Sequence, residues 1–142
     1  MGKTYDYPLQ LRWSDADRQG HVNNGKFATF AEDARIDWFE HLPGREANAP
    51  SSGLILARQE IDYHRQVRTE AEAGKRMVVK CSTLSLGRTS ARIREELWGE
   101  GDTSPACTVD CVLVNFDYEA GASTPWTDAE REWIASFAAQ EN

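Results

Sequence analysis

The clearest structural signal in this chain comes from residues 23–44, which read NNGKFATFAEDARIDWFEHLPG. Apolar side chains recur there at intervals of three and four residues, the spacing of one helix face: Phe27, Phe30, Ala31, Ala34, Trp38 and Leu42. Asparagine is a preferred N-cap residue, and Pro43-Gly44 is typical of a helix end. The pattern therefore predicts a helix of about 18 residues, roughly 27 Å long, which is enough to cross a small sheet.

Most of the remaining chain shows the two-residue alternation of β-strands. Strand patterns occur at residues 9–13, 54–63, 77–81, 89–98 and 107–116. A short helix is predicted after Pro125, because Thr127 can cap its start and Glu130 completes a capping box. This order predicts a single α+β domain over residues 1–142, with a five-stranded antiparallel sheet wrapped around the long helix. An open sheet exposes its edge strands, which favours a homodimer.

Composition restricts the classes of function. The chain has 142 residues, 40% of them hydrophobic, and a net charge of −7. This balance disfavours nucleic acid and membrane surfaces as partners. Residues 1–13 do not resemble a secretory signal, so we expect a cytoplasmic protein. The three cysteines and three histidines are scattered, which favours buried free thiols over a metal site; no cofactor is expected.

Basic residues are concentrated in the middle of this acidic chain. Residues 58–94 hold nine basic and four acidic side chains, whereas residues 95–142 hold one basic and eleven acidic side chains. A basic segment of this kind suits a small polyanion such as a nucleotide-tailed molecule. The alternative is a solvated sheet face on which charges merely alternate. Composition alone leaves both interpretations open.

One dense polar cluster, residues 15–24, stands directly before the long helix and reads DADRQGHVNN. A helix N-terminus offers unpaired N–H groups and a partial positive charge, which stabilise a developing oxyanion. A carboxylate on the preceding loop can attack a carbonyl carbon or deprotonate a water molecule. The same residues also fit a structural role, with both aspartates in Asx turns and His21 on the surface. The sequence contains no motif of serine hydrolases, P-loop proteins, Rossmann domains or zinc proteases.

Residues 12–24, RWSDADRQGHVNN, are similar to the opening of the hot-dog-fold acyl-CoA thioesterases, and most of all to the 4-hydroxybenzoyl-CoA thioesterase family. The likeness extends, more weakly, over most of the chain, at Phe27, Phe30, Glu32, Ala34, Arg35, residues 61–63, residues 87–90 and the strand that ends at Phe116. The resemblance implies hydrolysis of an acyl-CoA thioester to a free acid and coenzyme A, without a metal or redox cofactor. It also implies a homodimer with sites at the subunit interface, and leaves open whether dimers pair into tetramers.

The resemblance also implies roles for particular residues. Asp17 corresponds to the catalytic carboxylate, as nucleophile or general base, and the thioester carbonyl points at the backbone amide near Asn24. Asn23 and His21 are then orienting polar groups, while Asp15 fixes the loop. The coenzyme A phosphates are expected to contact basic and hydroxyl side chains: Arg88, Thr89 and Ser90, with Arg58, Arg65 and Arg92 as further candidates.

The sequence departs from the hydroxybenzoyl branch at His21, Asn23 and Asn24, where that branch carries apolar or aromatic residues. The HVNN stretch looks more like the branch that acts on aliphatic acyl groups, so the identity of the acyl group stays open. The alternatives are an acyl-carrier-protein thioesterase, a hot-dog hydratase, or a non-catalytic acyl-CoA-binding module with the same fold.

Overall fold

The computed structural model describes residues 3–44, 52–69 and 76–139. An antiparallel sheet packs against one long helix, as the sequence predicts for a hot-dog fold. In chain order the elements are β1 (Tyr5–Leu9), α1 (Asn24–Phe39), β2 (Ser52–Tyr63), β3 (Met77–Leu86), β4 (Ser90–Gly99), β5 (Cys107–Asp117), β6 (Ala122–Ser123) and α2 (Asp128–Ala135). The sheet therefore has a sixth strand, two residues long, beyond the five predicted; it pairs with the end of β5.

The strand order is β1-β3-β4-β5-β2, which places β2 at one edge of the sheet. With 12 residues, β2 is the longest of the described strands. A bulge between Leu56 and Arg58 interrupts its pairing with β5. Leu56 and Tyr63 leave 41% and 49% of their surface exposed, which is unusual for large apolar side chains. This edge therefore combines unpaired backbone groups with exposed apolar surface.

The core lies between α1 and one face of the sheet, called the inner face below. The predicted apolar stripe of α1 is buried, and Ala34 and Trp38 are completely so. Ile93 of β4 and Leu113 of β5 are buried opposite the helix, as the predicted alternation of these strands requires. Phe137, just after helix α2, joins this core, and its ring lies 5.2 Å from that of Trp38. No helix in the described part of the chain is both long and apolar enough to cross a membrane.

The first strand lies earlier than its pattern predicts. The structure places β1 at Tyr5–Leu9, whereas the alternation at residues 9–13 predicted a strand there. Tyr5 stacks on Trp38 with ring centroids 6.2 Å apart, so tertiary packing selects the earlier segment. Trp13 instead begins a 3₁₀ turn, Trp13–Asp15, and is 87% exposed. The prediction of a strand at residues 9–13 was therefore wrong.

The ends of both helices follow local capping rules. Asn23 is the N-cap of α1, and its Oδ1 accepts a hydrogen bond from the N–H of Gly25 (3.0 Å). The helix has 16 residues rather than 18, because it ends at Phe39 instead of continuing to Leu42. At α2 the predicted capping box is confirmed: the N–H of Glu130 donates to Thr127 Oγ1 (3.1 Å), and the N–H of Thr127 donates to Glu130 Oε1 (2.8 Å).

Candidate active site

Asp15 fixes the polar cluster to the start of α1. Its side chain is fully buried; Oδ2 accepts a hydrogen bond from the N–H of Arg12 (2.8 Å), and Oδ1 lies 3.6 Å from Nζ of Lys26. Its backbone oxygen accepts a hydrogen bond from the N–H of Asn23 (3.0 Å). A buried carboxylate needs such partners, because desolvation is otherwise costly. These contacts are those of a loop-fixing residue, the role expected for Asp15.

Asp17 closes a tight turn with one of its carboxylate oxygens. Its Oδ1 accepts hydrogen bonds from the N–H of Gln19 (2.9 Å) and of His21 (3.3 Å). The N–H of Asp17 donates to the backbone oxygen of His21 (2.8 Å), and Gly20 adopts a φ of +78°, a value that favours glycine. Within residues 3–44, 52–69 and 76–139, no donor bonds to Oδ2. Asp17 therefore holds the turn through Oδ1, while Oδ2 accepts no hydrogen bond from these residues.

The backbone N–H of Asn24 is the free donor at the tip of α1. The N–H groups of the next two residues are satisfied by Asn23, through its side chain and its backbone oxygen (2.9 Å from the backbone nitrogen of Lys26). The N–H of Asn24 itself meets no acceptor among the described residues. The helix behind it adds the partial positive charge of its N-terminus. Such a donor is suited to binding a carbonyl oxygen on which negative charge develops.

The end of β2 and the segment after it pack against the Asp17 loop and the start of α1. The hydroxyl of Tyr63 donates to the backbone oxygen of Asn24 (3.2 Å), and its ring packs edge-on against Phe27 at 5.5 Å. The N–H of Val22 donates to the backbone oxygen of Val67 (2.7 Å). The predicted catalytic candidates therefore lie together beside the end of β2: Asp17, His21, Asn23 and Asn24.

The predicted phosphate-contacting segment lies at the other end of the sheet. Arg88 and Thr89 lie in the turn between β3 and β4, and Ser90 is the first residue of β4. The last residues of β2, in contrast, lie at the end of the sheet where β3 begins and β4 ends. Strands of ten residues separate these two ends by roughly 30 Å. The backbone oxygen of Thr89 accepts the N–H of Asn115 (2.8 Å), which ties the turn to β5. One chain alone therefore does not bring this segment to Asp17.

The other basic candidates are paired with carboxylates. Arg58 lies on the outer face of β2 and forms an ion pair with Glu60, while Arg65, just after β2, forms one with Asp102. Both pairs leave the guanidinium groups partly exposed. Both arginines therefore take part in partly solvated ion pairs.

The outer faces of β4 and β5 also carry paired charges. Arg94 donates to both carboxylate oxygens of Asp110, at 2.8 and 2.9 Å, and Arg92 is exposed on the same face. This arrangement is the solvated sheet face with alternating charges that the sequence left as an alternative. The ion pair with Asp110 explains the position of Arg94 without a bound ligand.

The cysteines are buried free thiols, as expected. Among the residues that the structure describes, no three His, Cys, Asp or Glu side chains are grouped closely enough to hold a metal ion.

The sequence did not single out Glu95, a buried carboxylate on the inner face of β4. Arg35 of α1 donates from Nε to Glu95 Oε1 (3.3 Å) and from a terminal nitrogen to Gln59 Oε1 (3.0 Å). The thiol of Cys111 lies 3.5 Å from the same Glu95 oxygen. Glu95 is 1% exposed and Arg35 5%. The sequence did contain one sign of it: in the two-residue alternation of β4, Glu95 occupies a position on the otherwise apolar face.

A narrow cavity between α1 and the sheet reaches Glu95. Its walls are apolar except at that residue: Phe27, Phe30, Ala31, Val79, Leu97, Cys107 and Val109. Glu95 Oε2 is fully buried and has no hydrogen-bond partner among the described residues. Phe27, in the first turn of α1, is one of the lining residues.

Burial raises the pKa of Glu95 to about 7 from its ordinary value of 4.5, although the charge of Arg35 opposes the shift. Between about pH 4.5 and 7 the folded chain keeps this proton while the unfolded chain loses it, so stability falls as pH rises. We expect the unfolding free energy of the wild type, relative to Glu95→Gln, to fall by about 3 kcal/mol across this window. Urea unfolding of both proteins at several pH values measures this difference.

Comparison with the glutamine variant isolates the contribution of Glu95 to the pH dependence of stability, since every other carboxylate is common to both proteins. Of the facing groups, Gln59 has no titratable proton, and burial raises the pKa values of the Cys81 and Cys111 thiols away from this range. A stability difference that is constant from pH 4.5 to 7 would contradict the assignment.

The profile of the thioesterase-like superfamily matches residues 11–134. The chain belongs to this superfamily. Among its relatives, the uncharacterized protein YsmA of Bacillus subtilis (strain 168) is 34% identical over 127 residues, which cover 89% of this chain and 82% of that protein. The superfamily supports thioester hydrolysis as the general activity.

Solved structures agree with this membership. A thioesterase from Thermus thermophilus, crystallised with coenzyme A and Zn, is 31% identical, with a TM-score of 0.73 over 91% of this chain and 95% of that one. The PA5185 protein from Pseudomonas aeruginosa strain PAO1 reaches a TM-score of 0.84 over 99% of both chains, at 19% identity, and shows the shared fold.

Proposed function

We propose that this thioesterase-like chain hydrolyses acyl-CoA thioesters, with Asp17 as the catalytic carboxylate and the start of α1 as the oxyanion-binding group. The observation that carries the proposal is that Asp17 Oδ2 and the N–H of Asn24 both lack a hydrogen-bond partner among the described residues, on one turn and the helix start that follows it. The coenzyme A bound to the Thermus thermophilus thioesterase supports the choice of thiol.

The proposed reaction has three events. The carbonyl oxygen of the thioester accepts a hydrogen bond from Asn24, which makes the carbonyl carbon more electrophilic. Asp17 takes a proton from a water molecule as that water attacks the carbon; alternatively, Asp17 attacks directly and water then cleaves the resulting anhydride. Collapse of the tetrahedral intermediate breaks the C–S bond, and the departing thiolate of coenzyme A takes the proton that Asp17 removed from water, which leaves the free acid. On the direct route the thiolate leaves as the anhydride forms and takes up the proton released when water opens that anhydride.

A homodimer would complete the site. Strand β2 is a long, unprotected edge with exposed apolar side chains, a surface that a second copy can cover by antiparallel pairing. A two-fold axis at this edge reverses the partner sheet, so the partner's turn between β3 and β4 comes to the end where β2 stops. In this assembly Arg88 of one chain lies near Asp17 of the other. Association of two such dimers is a further possibility that sedimentation would resolve.

Release of free thiol tests the proposed activity across short, long and aromatic acyl-CoAs. The same screen with an enoyl-CoA and with a carrier-protein thioester separates the alternatives by their products. Hydration without thiol release would indicate a hydratase, cleavage of carrier-protein thioesters alone would indicate that substrate class, and tight coenzyme A binding without turnover would indicate a binding module.

Arg88→Ala should raise KM for the preferred acyl-CoA by about tenfold or more with little change in kcat, because a charge-assisted bond to phosphate contributes about 1.5–3 kcal/mol. The matched control is Arg94→Ala, since Arg94 is engaged by Asp110 on the outer face. Equal KM values for Arg88→Ala and the wild type would remove Arg88 from the coenzyme A site.

A further inference from the structure

Tyr63, the last residue of β2, joins the sheet to the first turn of α1. Its hydroxyl donates to the backbone oxygen of Asn24 (3.2 Å), and its ring packs edge-on against Phe27, with ring centroids 5.5 Å apart. A carbonyl oxygen has two lone pairs, so it can accept this bond and a helical bond at once. Within the described part of the chain, no other side chain donates a hydrogen bond to the backbone of Asn24. Tyr63 therefore ties the residue that carries the proposed oxyanion donor to the sheet.

The local sequence makes this tether important. Gly25 directly follows Asn24 in the first turn of α1, and glycine weakens a helix by about 0.5–1 kcal/mol relative to alanine because it has more conformational freedom to lose. Helix ends also open more readily than helix centres. An N–H donor stabilises a developing oxyanion best when its direction is fixed before the reaction. A helix start that contains glycine therefore needs a restraint from outside the helix.

We infer that Tyr63 is a positioning residue for the proposed hydrolysis: its hydrogen bond to the backbone oxygen of Asn24 fixes the direction of the Asn24 N–H toward the thioester carbonyl. The inference rests on the proposed function. A tyrosine hydroxyl has a single proton to donate, and Tyr63 uses it on Asn24. Tyr63 therefore acts on the reaction through Asn24 and does not itself donate a hydrogen bond to the substrate.

Tyr63→Phe removes the hydroxyl and keeps the ring that packs on Phe27. We expect kcat to fall by about tenfold, less than the roughly 10²- to 10³-fold cost of losing a whole oxyanion donor. KM should change little, because the bond to the carbonyl oxygen strengthens as negative charge develops in the transition state. The matched control is Tyr7→Phe on β1, at the opposite edge of the sheet, where the hydroxyl has no hydrogen-bond partner among the described residues. Its kcat should equal that of the wild type.

A second substitution distinguishes positioning from direct contact with the substrate. Gly25→Ala stiffens the first turn, and the added Cβ would lie 3.4 Å from Asn23 Oδ1, an ordinary van der Waals contact. If Tyr63 restrains a loose helix start, Tyr63→Phe should lower kcat by only about threefold in the Gly25→Ala background, against about tenfold in the wild-type background. Each ratio is taken within one background, so an effect of the alanine itself on substrate binding cancels.

Infrared spectroscopy reports directly on the hydrogen bond between Asn24 and the substrate carbonyl. The probe is an acyl-CoA analogue in which a methylene replaces the thioester sulfur and the carbonyl carbon is ¹³C, so that it binds without being hydrolysed. A hydrogen bond to the carbonyl oxygen polarises the C=O bond and lowers its stretching frequency. At saturating concentrations we expect this band at a higher frequency in Tyr63→Phe than in the wild type, and at an unchanged frequency in Tyr7→Phe.

The outcomes separate this inference from the proposed function. Thiol release by the wild type, with equal kcat values and equal carbonyl bands in the wild type and Tyr63→Phe, would overturn the inference and leave the proposed hydrolysis standing. A loss of kcat that is equally large in both backgrounds would also overturn it, because the hydroxyl would then act on the substrate itself. A shifted band without thiol release from any acyl-CoA would support the positioning of Asn24 by Tyr63 and contradict the proposed hydrolysis.

Discussion

Asp17→Asn should lower kcat for acyl-CoA hydrolysis by about 10²- to 10⁴-fold, the usual contribution of a positioned general base. The amide keeps an oxygen at the Oδ1 position, so the hydrogen bonds from Gln19 and His21 that close the turn can persist. The lost group is the basic Oδ2. We therefore expect little change in KM and in thermal unfolding, and the measurement is steady-state thiol release.

The control for this prediction is Asp33→Asn, which removes an exposed carboxylate from the solvent side of α1. It makes the same chemical change and alters the net charge equally, so kcat should stay close to that of the wild type. Parental kcat in Asp17→Asn would assign the catalytic role to another residue. In that case the Asx turn would be a sufficient account of Asp17.

Arg35→Met should lower the free energy of unfolding by about 3 kcal/mol near pH 7. Loss of one member of a buried ion pair usually costs about 3–5 kcal/mol, because the other charge is left without a partner. The lower end applies here, since Glu95 has a pKa of about 7 and can take up a proton instead. Urea unfolding with linear extrapolation measures the change.

The double variant with Glu95→Met is the control for this interpretation. Because it removes both charges, most of the lost stability should return. If the double variant is no more stable than the single variant, packing of Arg35 rather than its charge would be responsible. Unchanged stability in Arg35→Met would show that the pair contributes nothing.

Local sequence rules correctly predicted the features that depend only on residues close together in the chain. Asn23 caps α1 and Thr127 caps α2 because a capping bond spans only two or three residues, so the sequence contains both partners. The alternation of buried and exposed residues in β4 and β5 was predicted equally well, since one face of each strand is buried. The prediction of a strand at residues 9–13 was wrong for the opposite reason. The first strand is selected by the packing of Tyr5 on Trp38, and these two residues are distant in sequence.

The site beyond the Asp17 loop depends on contacts that no short pattern contains. Arg35 and Glu95 are 60 residues apart, so their pairing appears only after the helix is laid on the sheet. The position of Arg88 depends on topology: the turn between β3 and β4 lies at the opposite end of the sheet from Asp17, so the fold of one chain does not bring the two residues together. The sequence could therefore supply candidates for coenzyme A binding but not their arrangement.

The most direct test of the account is a crystal structure with a bound, non-hydrolysable acyl-CoA analogue that retains the carbonyl group. We expect the carbonyl oxygen about 3 Å from the backbone nitrogen of Asn24, with the carboxylate of Asp17 beside the carbonyl carbon. A carbonyl group bound away from both residues would contradict the central claim.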